Sequence, residues 1–346
     1  MAQSSKGHSR RTVRSVNEPS VHVFGGHRAK DAANFRPRPG APPVHDLIEY
    51  IHVLQIERGT TSAWIASAAN AAGGEAAAGV PAVSETRAAT DDTIAEYAEW
   101  RPKKQTLTSE LSLLRGSANL FRHPVLTAGA AADARAFFSV MSGYAALIEL
   151  LCNYVDLQLR YGRHAAILRS LVRFKEAMAF ERGFLCSTLA LPDRLFRLLP
   201  STAADDLAVC VQMQMQLATV VDAMLTSKPL DQAIHALVAA STTLPTVMRD
   251  IQEQVVTDSG LASLRDDLHA AECWDIFTAH IEKTRHAEQA LIAKVKQHMR
   301  NRGAVRAFMF RLLERLRGNV DIDKKTFQSI SAKSVSTAGS LPPSQG

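Results

Sequence analysis

Apolar positions along this chain recur at steps of three and four residues, and no stretch alternates as a half-buried strand would. The spacing predicts helices over residues 46–72, 84–100, 104–121, 132–162, 165–190, 203–225, 229–240 and 245–257. A long last helix is predicted from Leu261 past Lys296. Asp46 and Glu49 have capping-box spacing at the first helix start. The segment AAGGEAAAGVPA reads as a loop, and Leu191-Pro192 ends the helix before it. The connections are short, so neighbouring helices should run antiparallel, and the fold class is all-α, built as helical bundles.

Two of these helices break their own pattern in the same way. VLQIERGTTSAW and AMAFERGFLCST each carry Glu-Arg-Gly, with the two arginines 124 residues apart. The first stripe reads Leu47, Ile51, Leu54, Arg58, Thr61 or Ser62, Ile65. The second reads Leu171, Phe174, Met178, Arg182, Leu185, Leu189. Each arginine occupies a position that the helical period reserves for a core residue. Burying an unpaired guanidinium costs several kcal/mol, so each site calls for an anion.

Two sources of that anion are open. One is internal: Glu57, Glu181 or acids on a facing helix would neutralise the arginines, or the arginine stems would snorkel to an edge. The other is an exogenous small anion. Gly59 and Gly183 follow the arginines, although glycine disfavours a helix by about 1 kcal/mol relative to alanine. A glycine there admits a close backbone approach, whether for a tight polar pocket or for plain helix packing. A guanidinium offers a planar fork of donors, and two opposed forks would match a monovalent trigonal anion such as nitrate better than phosphate.

Charge is divided unevenly. Residues 1–43 hold eight Lys/Arg against two acids, and residues 294–346 hold eleven against three. The middle, 44–293, holds 21 against 29 and is acidic, although the chain as a whole carries +6. No nucleic-acid partner is therefore expected for the body. Residues 1–43, ending RPRPGAPP, and the tail from Thr326 have the composition of disordered segments. The four cysteines form no C-x-x-C pair, no apolar leader follows the first residues, and no uninterrupted apolar run of spanning length occurs. A cytoplasmic location is the expectation.

Twelve histidines give no ligand spacing: His45/His52 and His280/His286 lack flanking carboxylates, and no paired E-x-x-H occurs. With no H-E-x-x-H, Walker loop or G-x-S-x-G either, neither a catalytic residue nor a metal or other cofactor is expected. Lys294–Arg317 has eight basic residues and one acid, with Val305, Phe308, Met309, Leu312, Leu313 and Leu316 on one face. Such a helix either meets an acidic partner or anionic surface, or docks on the acidic body.

Six segments, in order, carry a family resemblance: LQIERGTTSAW; RAATDD, with Arg87 and Asp91; LSLLRG, with Arg115; YAALIELL; FKEAMAFERGFL; and CWDIFTAHIEKTRHAEQAL. Together they resemble the nitrate- and nitrite-sensing domain of bacterial antiterminators, receptor kinases, chemoreceptors and some cyclases. The resemblance implies two antiparallel four-helix bundles sharing long helices, with the ligand between the halves. It implies Arg58 and Arg182 as anion-binding residues and Arg115 as a further one, supported by Glu57, Gly59, Glu181 and Gly183. Gly59 stands where some members carry a second basic residue. The expected organisation is an arm over 1–43, the sensing domain over 44–299, and a basic helix with tail over 300–346. The expected partners are a small inorganic anion, a second copy of the chain, and a signalling protein or anionic surface through residues 294–317. The competing expectation is a helical scaffold with internally paired arginines.

Overall fold

The computed structural model describes residues 43–70, 82–96, 101–121, 130–159, 162–197, 199, 202–227, 230–257 and 260–319. Every regular element among them is a helix: α1 (Val44–Asn70), α2 (Val83–Glu96), α3 (Arg101–Phe121), α4 (Ala130–Gln158), α5 (Arg163–Ala190), α6 (Asp193–Phe196), α7 (Thr202–Ser227), α8 (Gln232–Thr242), α9 (Thr246–Val255), α10 (Gly260–Asp267) and α11 (Ala270–Asn319). The chain divides into two units, Met1–Leu291 and Ile292–Gly346, and all the side chains considered below belong to the first. In the second, the described residues continue α11 as helix to Asn319. The expected arm before Pro43, the tail after Thr326, the AAGGEAAAGVPA loop up to Pro81, and the side-chain pattern from residue 299 onward lie outside the described residues.

Two helix limits differ from the spacing. Helix α1 starts at Val44, with the Pro43 carbonyl accepting from the Asp46 and Leu47 amides, so Asp46 sits in the first turn instead of capping it. The long last helix is broken at Leu268–His269, which separates α10 from α11. Leu268 is buried at the break in the same core as Leu264, and α10 packs against α9. Apolar period continues across such a break, which is why the spacing did not reveal it. Helix α5 ends where Leu191-Pro192 predicts, with Leu191 in extended conformation.

Helix α5 is the centre of the unit. It packs against α1, α4 and α7, and every residue from Phe174 to Leu189 is buried. Helix α1 packs against α2, α4 and α5 and is buried over most of its length. On one side of α5 the core holds Phe174, Met178, Leu185, Leu207, Met248, Ile251 and Phe277. A helix enclosed all round has no solvated face, so each polar side chain on it needs a partner within the protein. Two segments, Val140–Gln158 of α4 and Ala203–Ser227 of α7, are long and apolar enough by composition to cross a membrane. The α4 segment is half buried against its neighbours, as a core helix is.

The two Glu-Arg-Gly segments meet where α1 crosses α5. A Cβ on Gly183 would stand 3.3 Å from Gly59 Cα, so the backbones touch at the two glycines. A Cβ on Gly59 would stand 2.9 Å from Cζ3 of Trp274. Gly116, on the exposed side of α3, has nothing within 4 Å of the corresponding point. The same substitution should therefore change sign with position. Gly116→Ala is expected to stabilise by about 0.5–1 kcal/mol through helix propensity. Gly59→Ala is expected to destabilise by about 1–3 kcal/mol because Trp274 must move. Urea midpoints of the two variants against the parent measure both effects.

Candidate functional site

Six Lys, Arg and Glu side chains lie buried along the described parts of α1 and α5: Glu57, Arg58, Lys175, Glu176, Glu181 and Arg182. Four of them find opposite charges. Glu57 turns away from Arg58 and accepts from Arg115 on α3, Nε to Oε1 at 2.6 Å and Nη2 to Oε2 at 2.8 Å, and from the Tyr144 hydroxyl at 2.8 Å. Arg115 also donates to Asp91 at 2.8 Å and to the Arg87 carbonyl at 3.1 Å. Despite its desolvation, Arg115 is held above the usual arginine range by Glu57 and Asp91. Burial first, and then the Glu57 charge, pushes the Tyr144 phenol up.

Arg58 takes its counter-ion from the other central helix. Its Nη1 donates to Oε1 of Glu176 and its Nη2 to Oε2 at 3.3 Å, forming a buried two-point pair. Gln55 donates to the same Glu176 Oε2 at 2.9 Å, and the Phe180 ring lies 5.3 Å from the Arg58 guanidinium carbon. Lys175, one residue before Glu176, pairs with Glu288 of α11, both fully buried.

Arg182 has no such partner. It is 2% exposed, and its Nη1 donates to Thr278 Oγ1 at 2.8 Å. The guanidinium stacks on Trp274, 4.0 Å from the ring centroid. Nε and Nη2 are both shielded from solvent and donate to no acceptor among the described residues. These two groups form one edge of the planar guanidinium, the edge that takes a carboxylate or oxyanion two oxygens at a time. Desolvation, followed by the like charge of Arg58, lowers its pKa to about 10. Glu282 attracts it without forming an ion pair with it. At neutral pH Arg182 is still a cation, held in a protein interior with Thr278 and an indole face as its neighbours.

Of the residues singled out from sequence, the fold brings together Arg58, Gly59, Arg182 and Gly183. Gly59 and Arg182 are close enough that a Cβ on Gly59 would lie 3.7 Å from Arg182 Nη2. Arg115 and Glu57 form a separate pair with each other. Glu181 faces α7 and α9 and accepts from Gln214 and Gln252. The sequence reading missed Glu176, Trp274 and Thr278. Trp274 and Thr278 are four apart and so share one face of α11, a spacing visible in the sequence. Among the described residues no group of three or more His, Cys, Asp or Glu side chains is placed to hold a metal ion.

The asymmetry of the two arginines predicts opposite results from one substitution. Arg58→Met leaves the Glu176 carboxylate buried without its cation and should cost about 3–5 kcal/mol. Arg182→Met strands no carboxylate and removes a desolvated charge, so it should cost no more than about 1 kcal/mol. Chemical denaturation of the two variants without added anion gives the comparison.

The family model described as nitrate and nitrite sensing matches residues 49–296, a span that takes in both Glu-Arg-Gly segments and the Trp274/Thr278 face of α11. No curated protein and no solved structure matches the chain. The match covers well over half the chain, and this protein therefore belongs to the nitrate and nitrite sensing family.

Proposed function

We propose that this chain is a non-catalytic sensor that binds nitrate or nitrite at the crossing of α1 and α5. The observation that carries the reading is Arg182: a buried cation that meets no carboxylate among the described residues, with its Nε/Nη2 edge unsatisfied by them. Two oxygens of a planar anion fit that edge, and its single negative charge neutralises the guanidinium. Trp274 supports the guanidinium from its face, and Thr278 fixes its other end. Larger, more highly charged phosphate needs more donors than this edge supplies.

Signalling follows from Arg58. In this structure Glu176 occupies the Arg58 fork. An anion bridging Arg182 to Arg58 competes with Glu176 for the same donors, so the bridged and internally paired arrangements exclude one another. Because α1 and α5 touch at Gly59 and Gly183, exchanging one arrangement for the other resets their crossing. The anion biases this equilibrium only by its differential affinity for the two states. Arg115 enters the proposal as the counter-ion of Glu57. The basic segment 294–317 is the surface proposed to carry the signal to a partner.

The Arg58–Glu176 pair on its own favours the other reading, a scaffold with internally neutralised arginines; Arg182 does not. Thermal melts separate them. Nitrate at about 100 times its dissociation constant should stabilise the protein by about 2.7 kcal/mol, while chloride at the same ionic strength should leave the melt unchanged. Arg182→Lys should weaken the shift, since an ammonium has no fork, and Arg182→Ala should abolish it. Superimposable melts in nitrate and chloride would establish the scaffold.

A further inference from the structure

Arg182 is not alone in stacking on an indole with a donor edge left over. Arg87 of α2 repeats the arrangement with a different set of residues. Its guanidinium carbon lies 5.6 Å from the ring centroid of Trp64 on α1, within cation–π range. Its Nη1 donates to a neutral oxygen, Oδ1 of Asn119 on α3, at 3.1 Å. Nε and Nη2 are shielded from solvent and meet no acceptor among the described residues. Around Arg182 the same parts are Trp274, Thr278 Oγ1 and the Nε/Nη2 edge. In both places an aromatic face and one neutral acceptor hold the arginine, and the edge that grips two coplanar oxygens remains.

Local packing puts Arg87 there. Thr86, Thr90 and Ile94 form the buried stripe of α2, and Thr86 Oγ1 shares a 2.9 Å hydrogen bond with Thr60 Oγ1 of α1. That contact sets the register of α2 on α1 and leaves Arg87, the next residue, beside the stripe and partly exposed. Two carboxylates of this region are committed to another arginine. Glu57 accepts from Arg115 through both oxygens, and Asp91, one turn along α2, accepts from Arg115 through Oδ1. Arg115 also donates to the Arg87 carbonyl, so it anchors the Arg87 backbone and engages both acids at once. Arg87 itself makes no ion pair among the described residues. Shielded donors without an acceptor are uncommon in folded proteins, and two on one guanidinium edge are what a planar oxyanion fills.

We infer that Arg87, with Trp64 and Asn119, forms a second binding site for a planar monovalent oxyanion, separate from the one proposed at Arg182. Two oxygens of the anion accept from Nε and Nη2, the Trp64 ring backs the guanidinium, and Asn119 keeps the fork from turning. The residues come from α1, α2 and α3, whereas Trp274, Thr278 and Arg182 belong to α5 and α11, so the two sets share none. Because Arg87 is partly exposed, its attraction for the anion is weaker and more easily screened by salt than that of buried Arg182. The inference stands on the contacts of Arg87 alone and does not require the Arg182 reading. Nitrate is the probe because it has the required shape and charge.

The test follows the two indoles separately. In the nitrogen-labelled full chain, the indole N–H resonances of Trp64 and Trp274 are assigned through Trp64→Phe and Trp274→Phe. They are then titrated with sodium nitrate, and with sodium chloride at the same ionic strength. The Trp64 resonance should shift saturably with nitrate and not with chloride, at a dissociation constant several-fold weaker than the one read at Trp274. Arg87→Met, which keeps an unbranched stem and removes the donors, should abolish the Trp64 shift and leave that of Trp274. Arg182→Ala should do the converse. A Trp64 resonance that ignores nitrate, follows chloride equally, or still shifts in Arg87→Met overturns the inference. So does a Trp64 shift that disappears in Arg182→Ala, since it then reports the other site. A silent Trp274 beside a responsive Trp64 overturns the Arg182 reading and leaves this one standing. Should Arg87→Met fail to fold, Arg87→Lys keeps the charge without the fork: it should weaken the Trp64 response several-fold, and an unchanged affinity overturns the inference.

Discussion

Burial of charge along α1 and α5 is the constraint to which the rest of this structure answers. Helix α5 is enclosed all round from Phe174 to Leu189, yet that stretch carries Lys175, Glu176, Glu181 and Arg182. Removing each ion from water costs several kcal/mol, and only a well-placed opposite charge or dense hydrogen bonding offsets it. The neighbouring helices are recruited accordingly. Helix α3 supplies Arg115 for Glu57, α11 supplies Glu288 for Lys175, and α1 and α5 satisfy each other through Arg58 and Glu176. What remains is Arg182 and Glu181, adjacent in sequence, facing different helices, with opposite charges that do not meet. A fold selected for stability alone has a simpler solution, since apolar residues of similar volume cost nothing to bury.

The glycines give this chemistry its geometry. Contact between Gly59 and Gly183 brings two helix backbones close enough for the side chains of adjacent Arg58 and Arg182 to share one small region. The space over Gly59 is taken by Trp274, whose indole both packs against the glycine and carries the Arg182 guanidinium on its face. Three helices thus converge on one cation, and any change in its electrostatic state is felt at once by α1, α5 and α11. Under the proposed function, that convergence is what suits the site to sensing: a single small anion would change the charge balance where three long helices are held together.

Much of the fold was legible in the sequence. Helical period, the Leu191-Pro192 stop and the recurrence of Glu-Arg-Gly on apolar stripes required only local spacing, because an amphipathic helix writes its buried face at every third and fourth residue. The demand for an anion at Arg58 and Arg182 followed from the same spacing and the cost of burying guanidinium. The break at Leu268 was invisible, because the apolar period runs through it and only the packing of α10 on α9 reveals the turn.

Which anion answers each arginine was a tertiary decision. The sequence offered Glu57 and Glu181 as neighbours of their arginines, but adjacent residues on a helix point about 100° apart and so face different partners. Only the crossing of α1 and α5 could deliver Glu176 to Arg58, from 118 positions away. Only the placement of α11 could set Trp274 and Thr278, and no carboxylate, against Arg182. The sequence by itself placed two arginines on helix faces that the apolar period reserves for core residues. The tertiary structure decided that one would be neutralised from within and the other not, because that depends on which side chains the packing brings within hydrogen-bond reach, and the helical period carries no record of it.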